Sequence, residues 1–331
     1  MLTIAIKLRH ITLGLETSDI SLSGSPLCGG NVIFDGSKSS TFQSNETESR
    51  GVAWVNTDDV TAFFPLGYIS TDTFNIHGLE IPNQKFFLEH NCTRAQQVEG
   101  TSEGRFSISL TPPVANESIQ SPFWSLYAAG KLESSLFSFS LKEDDAIATL
   151  GGADPSKFSG EIQWASVDNY DNWYVYVPAV YLNGGQQAVH NVTPPAGADP
   201  YYYGLLDTWS NRVYAPTFEV LTSIYGQISP DIHRIGNSGV WGAPCDILDR
   251  VATDITLTIG TTLLTNVTIP KARFNLGPIS GQPGICEAVI RNMNPHWDDI
   301  AFWTLGQGFL ENYYTVWDAM EKRVGFANLA S

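Results

Sequence analysis

The sequence predicts an all-β protein built as two lobes, with only a few short helices. Three observations predict it. Strand-forming runs dominate, and helical periodicity is confined to two short stretches. The chain has 331 residues, more than a single hydrophobic core ordinarily organises. A short pattern also recurs: "LGLETSD" (13–19) and "YGLLDTWS" (203–210) each run from an apolar strand into an acid followed by threonine, more than half the chain apart.

In chain order, "SPFWSLYAAGK" (121–131) reads as a short helix. "WYVYVPAVYLNG" (173–184) is strand, with a proline that calls for an edge or a bend. "APTFEVLTSIYGQI" (215–228) is apolar at helical spacing. "DITLTIGTTLLTNVTI" (254–269) alternates with period two around a turn at Gly260-Thr261, and "NYYTVWDAMEKRVGFA" (312–327) is strand, turn, strand. "TPPVA" (111–115) and "TPPAGADP" (193–200) are loops. Alternating strand and helix, the mark of a parallel α/β sheet, is missing. The lobes are placed at 1–168 and 169–331.

Composition narrows the function. Acids outnumber Lys plus Arg by 34 to 18, for a formal charge of -16, and no basic patch compensates, so nucleic acid is excluded as a partner. An acidic surface suits work in acid as well as it suits solubility. No apolar run is long enough to span a membrane. Cys28, Cys92, Cys245 and Cys286 form no CxxC, no Cys/His cluster has zinc spacing, and the six histidines are scattered, so neither metal nor cofactor is expected. Asn-x-Ser/Thr acceptors stand at Asn45, Asn91, Asn116, Asn191 and Asn266. With so few lysines they point to the secretory route or a vacuole, where two disulfides are the simplest use of four cysteines. The start, "MLTIAIKLRHITLG", is too short and too interrupted for a leader, so the expectation is a processed or misplaced start.

Specific stretches in the right order carry a family resemblance. "TLGQGFLENYYTVWDAMEKRVGFANLA" (304–330), "LFSFSLKEDDAIATLGGADPSKFSGEIQWASVDNYDNWYV" (136–175), "FDGSKSSTFQSN" (34–45) and "ISTDTFNIHGLEIPNQKF" (69–86) resemble the secreted, fungal-type pepsin-like aspartic peptidases. The resemblance covers most of the chain. It implies two β lobes related by a pseudo-twofold, a shared sheet, an interdomain cleft and a monomer. It also implies a Cys245–Cys286 disulfide, which leaves Cys28 with Cys92.

That family's chemistry needs two aspartates sharing one proton, each on an Asp-Thr-Gly-Ser/Thr turn. Like charges at close range split the two pKa values, so a neutral acid sits beside a base and activates a water. This chain departs from the pattern. The first aspartate falls on Glu16, and the added methylene moves its carboxylate by about an ångström, a displacement that can cost on the order of 10²-fold in a prealigned reaction. Ser18 stands where a glycine is expected. Asp19 competes for the role but lies past the threonine, and Glu16 can also be read as an ordinary solvated residue. In the second motif, Asp207 and Thr208 are kept, Trp209 replaces glycine and Ser210 follows. Trp209 means either that the loop is remodelled or that the ring fills the cleft, and it can also be read as a core aromatic. "EGRFSISL" (103–110) puts Arg105 near Glu16 if the family's path is followed, and "WTLGQ" (303–307) is regular except for Gln307. The covering hairpin, "VNTDDVTAFFPLGYI" (55–69), lacks the family's Tyr-Gly, with Trp54 the nearest substitute and Phe64 part of an apolar cover.

These residues point to a non-canonical pepsin-fold protein without conventional peptidase activity. Its cleft would bind a peptide or an apolar small molecule through Thr208, Trp209, Ser210, Trp54, Phe64 and Arg105. Two alternatives stay open: an enzyme recruited to acid/base or cyclisation-type chemistry on a small organic substrate, and an acid endopeptidase using a Glu16/Asp207 pair.

Overall fold

A computed structural model of the chain describes residues 2–4, 11–14, 20–23, 33–50, 54–56, 61–63, 66–91, 104–108, 110, 119–142, 145–168, 172–189, 202–208, 210–292 and 302–330. The architecture is the expected all-β, pepsin-like one, with short helices between many strands. Two compact units divide the chain. The first takes the described residues up to Pro155, together with Val316–Met320; the second takes those of Ser156–Thr315 and the end from Glu321.

The first unit holds a six-stranded sheet in the order Ile11–Gly14, Gly104–Ser107, Ile20–Ser23, Leu79–Asn91, Leu66–Ile76, Gln43–Arg50. Its longest hairpin, Leu66–Ile76 with Leu79–Asn91, turns at His77-Gly78 with φ of 50° and 88°. Such left-handed values suit the glycine. Phe86 is fully buried and meets the rings of Phe34, Phe42 and Phe74. "FDGSKSSTF" is built around the buried carboxylate of Asp72, which accepts from Ser39 Oγ at 2.8 Å, Thr73 N at 2.7 Å and the Thr41 hydroxyl. Three acceptor contacts offset the cost of burying that charge. A second core lies against the antiparallel pair Leu136–Lys142 and Asp145–Leu150, where Phe123 and Trp317 pack on Phe137 with ring centroids 5.2 and 5.8 Å away. Each such aromatic contributes roughly 1.5–3 kcal/mol by leaving water.

The second unit is built from antiparallel ladders around a five-stranded sheet ordered Tyr174–Val177, Tyr202–Leu206, Phe302–Leu305, Val213–Ala215, Ile290–Asn292. Pro178 ends the first of these strands, and the chain continues as Ala179–Leu182 in a different, four-stranded sheet. The proline thus supplies both the edge and the bend expected of it. In that second sheet Ile255–Gly260 pairs with Leu264–Ile269. Gly260 closes the first strand opposite Leu264, at φ +105°, instead of heading the turn. The turn falls on 261–263, whose backbone N–H groups converge on Ser166 Oγ at 2.8 Å from Thr261 and 3.2 Å from Thr262.

Both expected helices form. Pro122–Ala128 starts with proline at its first position. Phe218–Ile228 is capped by Thr217, whose hydroxyl accepts from Val220 N at 3.2 Å. Two helices went unread in the sequence, Cys245–Val251 and Gln307–Leu310, because neither is long enough to show a period. Cys245 and Cys286 are joined with Cα atoms 4.8 Å apart, tying the first of these helices to the strand Gln282–Ala288. Among the described residues no helix is long and apolar enough to cross a membrane.

Candidate functional site: the Asp207 turn

Asp207 sits at the end of the strand Tyr202–Leu206, which lies parallel to Phe302–Leu305. Gly204 is needed in that strand, since a Cβ there would approach Val177 Cγ2 to 3.0 Å and Leu305 Cδ1 to 3.2 Å. After Asp207 the chain reverses and returns as Val213–Ala215, antiparallel to the same Phe302–Leu305 strand. One late strand therefore runs between the two arms of the turn. Asp207, Thr208 and Ser210 are all buried, at 3%, 5% and 6% exposure.

Four hydrogen bonds clamp the turn to the end of the late strand and the segment that follows it. Asp207 N donates to Leu305 O at 3.2 Å, Gly306 N to Arg212 O at 3.2 Å, and Gln307 N to Ser210 O at 2.7 Å. The fourth comes from a side chain: Gln307 Nε2 donates to Thr208 O at 2.8 Å. Gln307, a departure from the family pattern in the sequence, is thus an anchor of the aspartate's own turn. Ser210 Oγ accepts from Arg212 N at 3.3 Å and tightens the exit. Beyond it Glu287 holds Arg291 through contacts of 2.6 and 3.0 Å, with Arg212 Nε 3.4 Å away. This group of charges keeps the end of the turn polar and fixed. At the other end of the strand Tyr202–Leu206, burial pushes the Tyr202 phenol above its ordinary range, opposed by a hydrogen bond with Thr217.

The first unit repeats the path. Ile11–Gly14 runs parallel to Gly104–Ser107, and Ile20–Ser23 antiparallel to it. The sequence echo therefore marks two turns of the same topology. Their ladders also set equivalent positions. Phe106 is opposite both Leu13 and Ile20, as Leu305 is opposite both Leu206 and Val213. Gly14 is thus level with Asp207, and Glu16 comes two residues later in the chain.

Glu16, Ser18 and Asp19 lie outside the described residues, as do Trp209, Phe64, Cys28 and Cys92. Arg105 is placed by its backbone, opposite Thr12 and Ser21. Trp54 heads a two-stranded hairpin, Trp54–Asn56 with Thr61–Phe63, and is paired with Phe63. Of the sequon asparagines, Asn45 and Asn266 are exposed on strands, Asn91 ends a strand, and Asn116 and Asn191 fall outside the described residues. The structure brings together Asp207, Thr208 and Ser210, and adds Gly306, Gln307 and Arg212 to them.

Residues 17–329 match the model of the eukaryotic aspartyl protease family. The chain belongs to that family. The match begins one residue after Glu16. The chain is 28% identical to an aspartic protease of Phaffia rhodozyma over 65% of this chain and 49% of that protein, so the alignment spans about half of that relative. It is 25% identical to pepsin-2B of Gadus morhua over 80% of this chain and 75% of that protein. With pepsin F of Oryctolagus cuniculus the identity is 26% over 92% of this chain and 72% of that protein.

Proposed function

We propose that this member of the family binds a peptide or apolar ligand at the Asp207 turn without conventional peptide hydrolysis. The observation that carries the reading is the pair of ladders: Gly14, which has no side chain, stands level with Asp207. A shared-proton dyad needs two carboxyls presented alike, so that each perturbs the other and both reach one water. Here the nearest acid after Gly14 is Glu16, with a longer side chain, and the glycine of the second motif is Trp209. Asp207 on its own serves as a hydrogen-bond partner, acid or base toward a bound molecule. Trp209, two residues further along the chain, adds an apolar side chain to the sequence of this turn, and a few polar groups among apolar ones are what an apolar ligand requires of its site.

The test is hydrolysis of denatured globin or casein at acid pH by the wild-type chain and by Asp207→Asn, with and without pepstatin. Equal background rates for the two proteins are expected, with pepstatin changing neither. A pepstatin-sensitive activity that Asp207→Asn abolishes overturns the proposal and restores an acid endopeptidase. We also place the chain in the secretory route. The closed Cys245–Cys286 disulfide and the exposed sequons at Asn45 and Asn266 support that compartment.

A further inference from the structure

The hairpin Ile255–Gly260/Leu264–Ile269 carries no charged residue between Asp254 and Lys271. Its strands are rich in Ile, Leu, Val and Thr, and no proline interrupts either of them. Such a segment is a template for pairing with another chain unless its edge is guarded. The strand Leu264–Ile269 is the last of its sheet. Leu263 and Leu264 beside it are exposed at 46% and 56%.

The backbone groups on its outer side can be assigned. Thr268 N donates to Tyr313 Oη at 2.8 Å, and that hydroxyl donates to Thr268 O at 3.0 Å. Thr268 therefore turns its backbone away from the neighbouring strand, and so do Asn266 and Leu264, two and four residues before it. Tyr313 blocks the edge at Thr268. Among the described residues nothing comparable covers Asn266. The register agrees: Thr256 and Thr258 face Thr268 and Asn266, with Thr258 Oγ1 donating to Asn266 Oδ1 at 2.7 Å. Accepting that bond fixes the Asn266 amide with its nitrogen directed elsewhere, and the residue is exposed. Asn266-Val267-Thr268 is an N-glycosylation acceptor.

We propose that Asn266 carries an N-linked glycan whose task is to guard this uncharged edge strand against pairing with other chains. Tyr313 closes one end of the edge, and a bulky, hydrated sugar closes the next exposed position. Asn45 offers a contrast. It too lies on an edge strand, but Gln43–Arg50 contains Glu46, Glu48 and Arg50 and a register shift between Ser44 and Glu48, so charge and a bulge already blunt it.

The proposal rests on the secretory placement, and the experiment separates the two. The chain is secreted from a eukaryotic host and its tryptic peptides are weighed before and after enzymatic release of N-glycans. The peptide 251–271 contains Asn266 as its one sequon. It is expected to carry a glycan and to appear with aspartate at 266 after release. Asn266→Gln, which is neutral and bare, is expected to aggregate several-fold faster on concentration than wild type. Asn266→Asp, equally bare but charged and still able to accept from Thr258, is expected to stay near wild type. Glycans elsewhere with a bare Asn266 overturn this proposal alone, and no glycan at any sequon overturns the secretory placement with it. Asn266→Gln as soluble as wild type, or Asn266→Asp as aggregated as Asn266→Gln, removes the guarding role. If Asn266→Gln fails to be secreted while Asn266→Asp is secreted, the guarding role stands.

Discussion

Adding one methyl group at Gly306 tests the clamp on the Asp207 turn most directly. The backbone there is extended, at φ -81°, so alanine meets no conformational obstacle and the whole effect is steric. Its Cβ would lie 2.2 Å from Arg212 O and 2.4 Å from Ser210 O, where ordinary contact begins at 3.4 Å. Each carbonyl must retreat by about an ångström (3.4 − 2.2 and 3.4 − 2.4). Those two oxygens accept from Gly306 N at 3.2 Å and Gln307 N at 2.7 Å, so the same movement stretches both hydrogen bonds out of range. Two buried groups losing partners cost about 1–3 kcal/mol each, so Gly306→Ala should destabilise by about 4 kcal/mol. Gly308 provides the control. A Cβ there stands 3.6 Å from Asn211 O and 3.8 Å from Val213 Cγ2, and the residue lies in the helix Gln307–Leu310. Gly308→Ala should be neutral or stabilising by up to about 1 kcal/mol. Urea unfolding of the two variants against wild type measures the difference. A Gly306→Ala variant within about 1 kcal/mol of wild type, or equal losses at both glycines, would refute the steric account.

Other perturbations have defined outcomes. Gln307→Leu removes the donor to Thr208 O from an exposed position that water can also reach, so it should cost about 1 kcal/mol of unfolding free energy, read by urea denaturation. Gln307→Glu directs a carboxylate at that carbonyl, which favours the protonated form and raises the carboxyl's pKa. This variant should be weaker than Gln307→Leu at pH ~7 and should recover as pH falls below roughly 4–5. Burial raises the phenol pKa of Tyr225, and that of Tyr313 as well. The folded state then keeps protons that the unfolded state releases near pH ~10. Stability should therefore be unaffected at neutral pH and fall above pH ~10, by about 1.4 kcal/mol per pH unit for each phenol. Tyr225→Phe should lessen that slope, yet lower stability at neutral pH, because the hydroxyl pairs both Ile290 N and Ile290 O at 2.8 Å. Unfolding midpoints from pH ~7 to ~11 check both statements.

Much of the fold was legible because it is written locally. The closing hairpin sets two strand-forming runs, buried from Tyr314 to Asp318 and from Val324 to Ala327, on either side of a polar turn, and Pro178 cannot donate to a central ladder, so strand and bend could both be placed. The helix Phe218–Ile228 shows its period and its threonine cap. What stayed hidden depends on distant partners. Nothing near Asp207 in the chain reveals that its turn is threaded by Phe302–Leu305, or that Gln307 donates to Thr208 across a separation of 99 residues. The echo between 13–19 and 203–210 marked both turns, but the ladders and not the letters put Gly14 level with Asp207.

The late arrival of that threading strand sets the order of events as the protein is synthesised. A nascent chain that has emerged only as far as the helix Cys245–Val251 already displays the sequence of the aspartate's turn, yet Leu305, Gly306 and Gln307, which make its four clamping hydrogen bonds, are still to be translated. The acid acquires its posture only when Phe302–Leu305 slots between two arms made long before, and closing so wide a loop is slow. Any chain cut short upstream of Phe302 would keep the residue and lose its address.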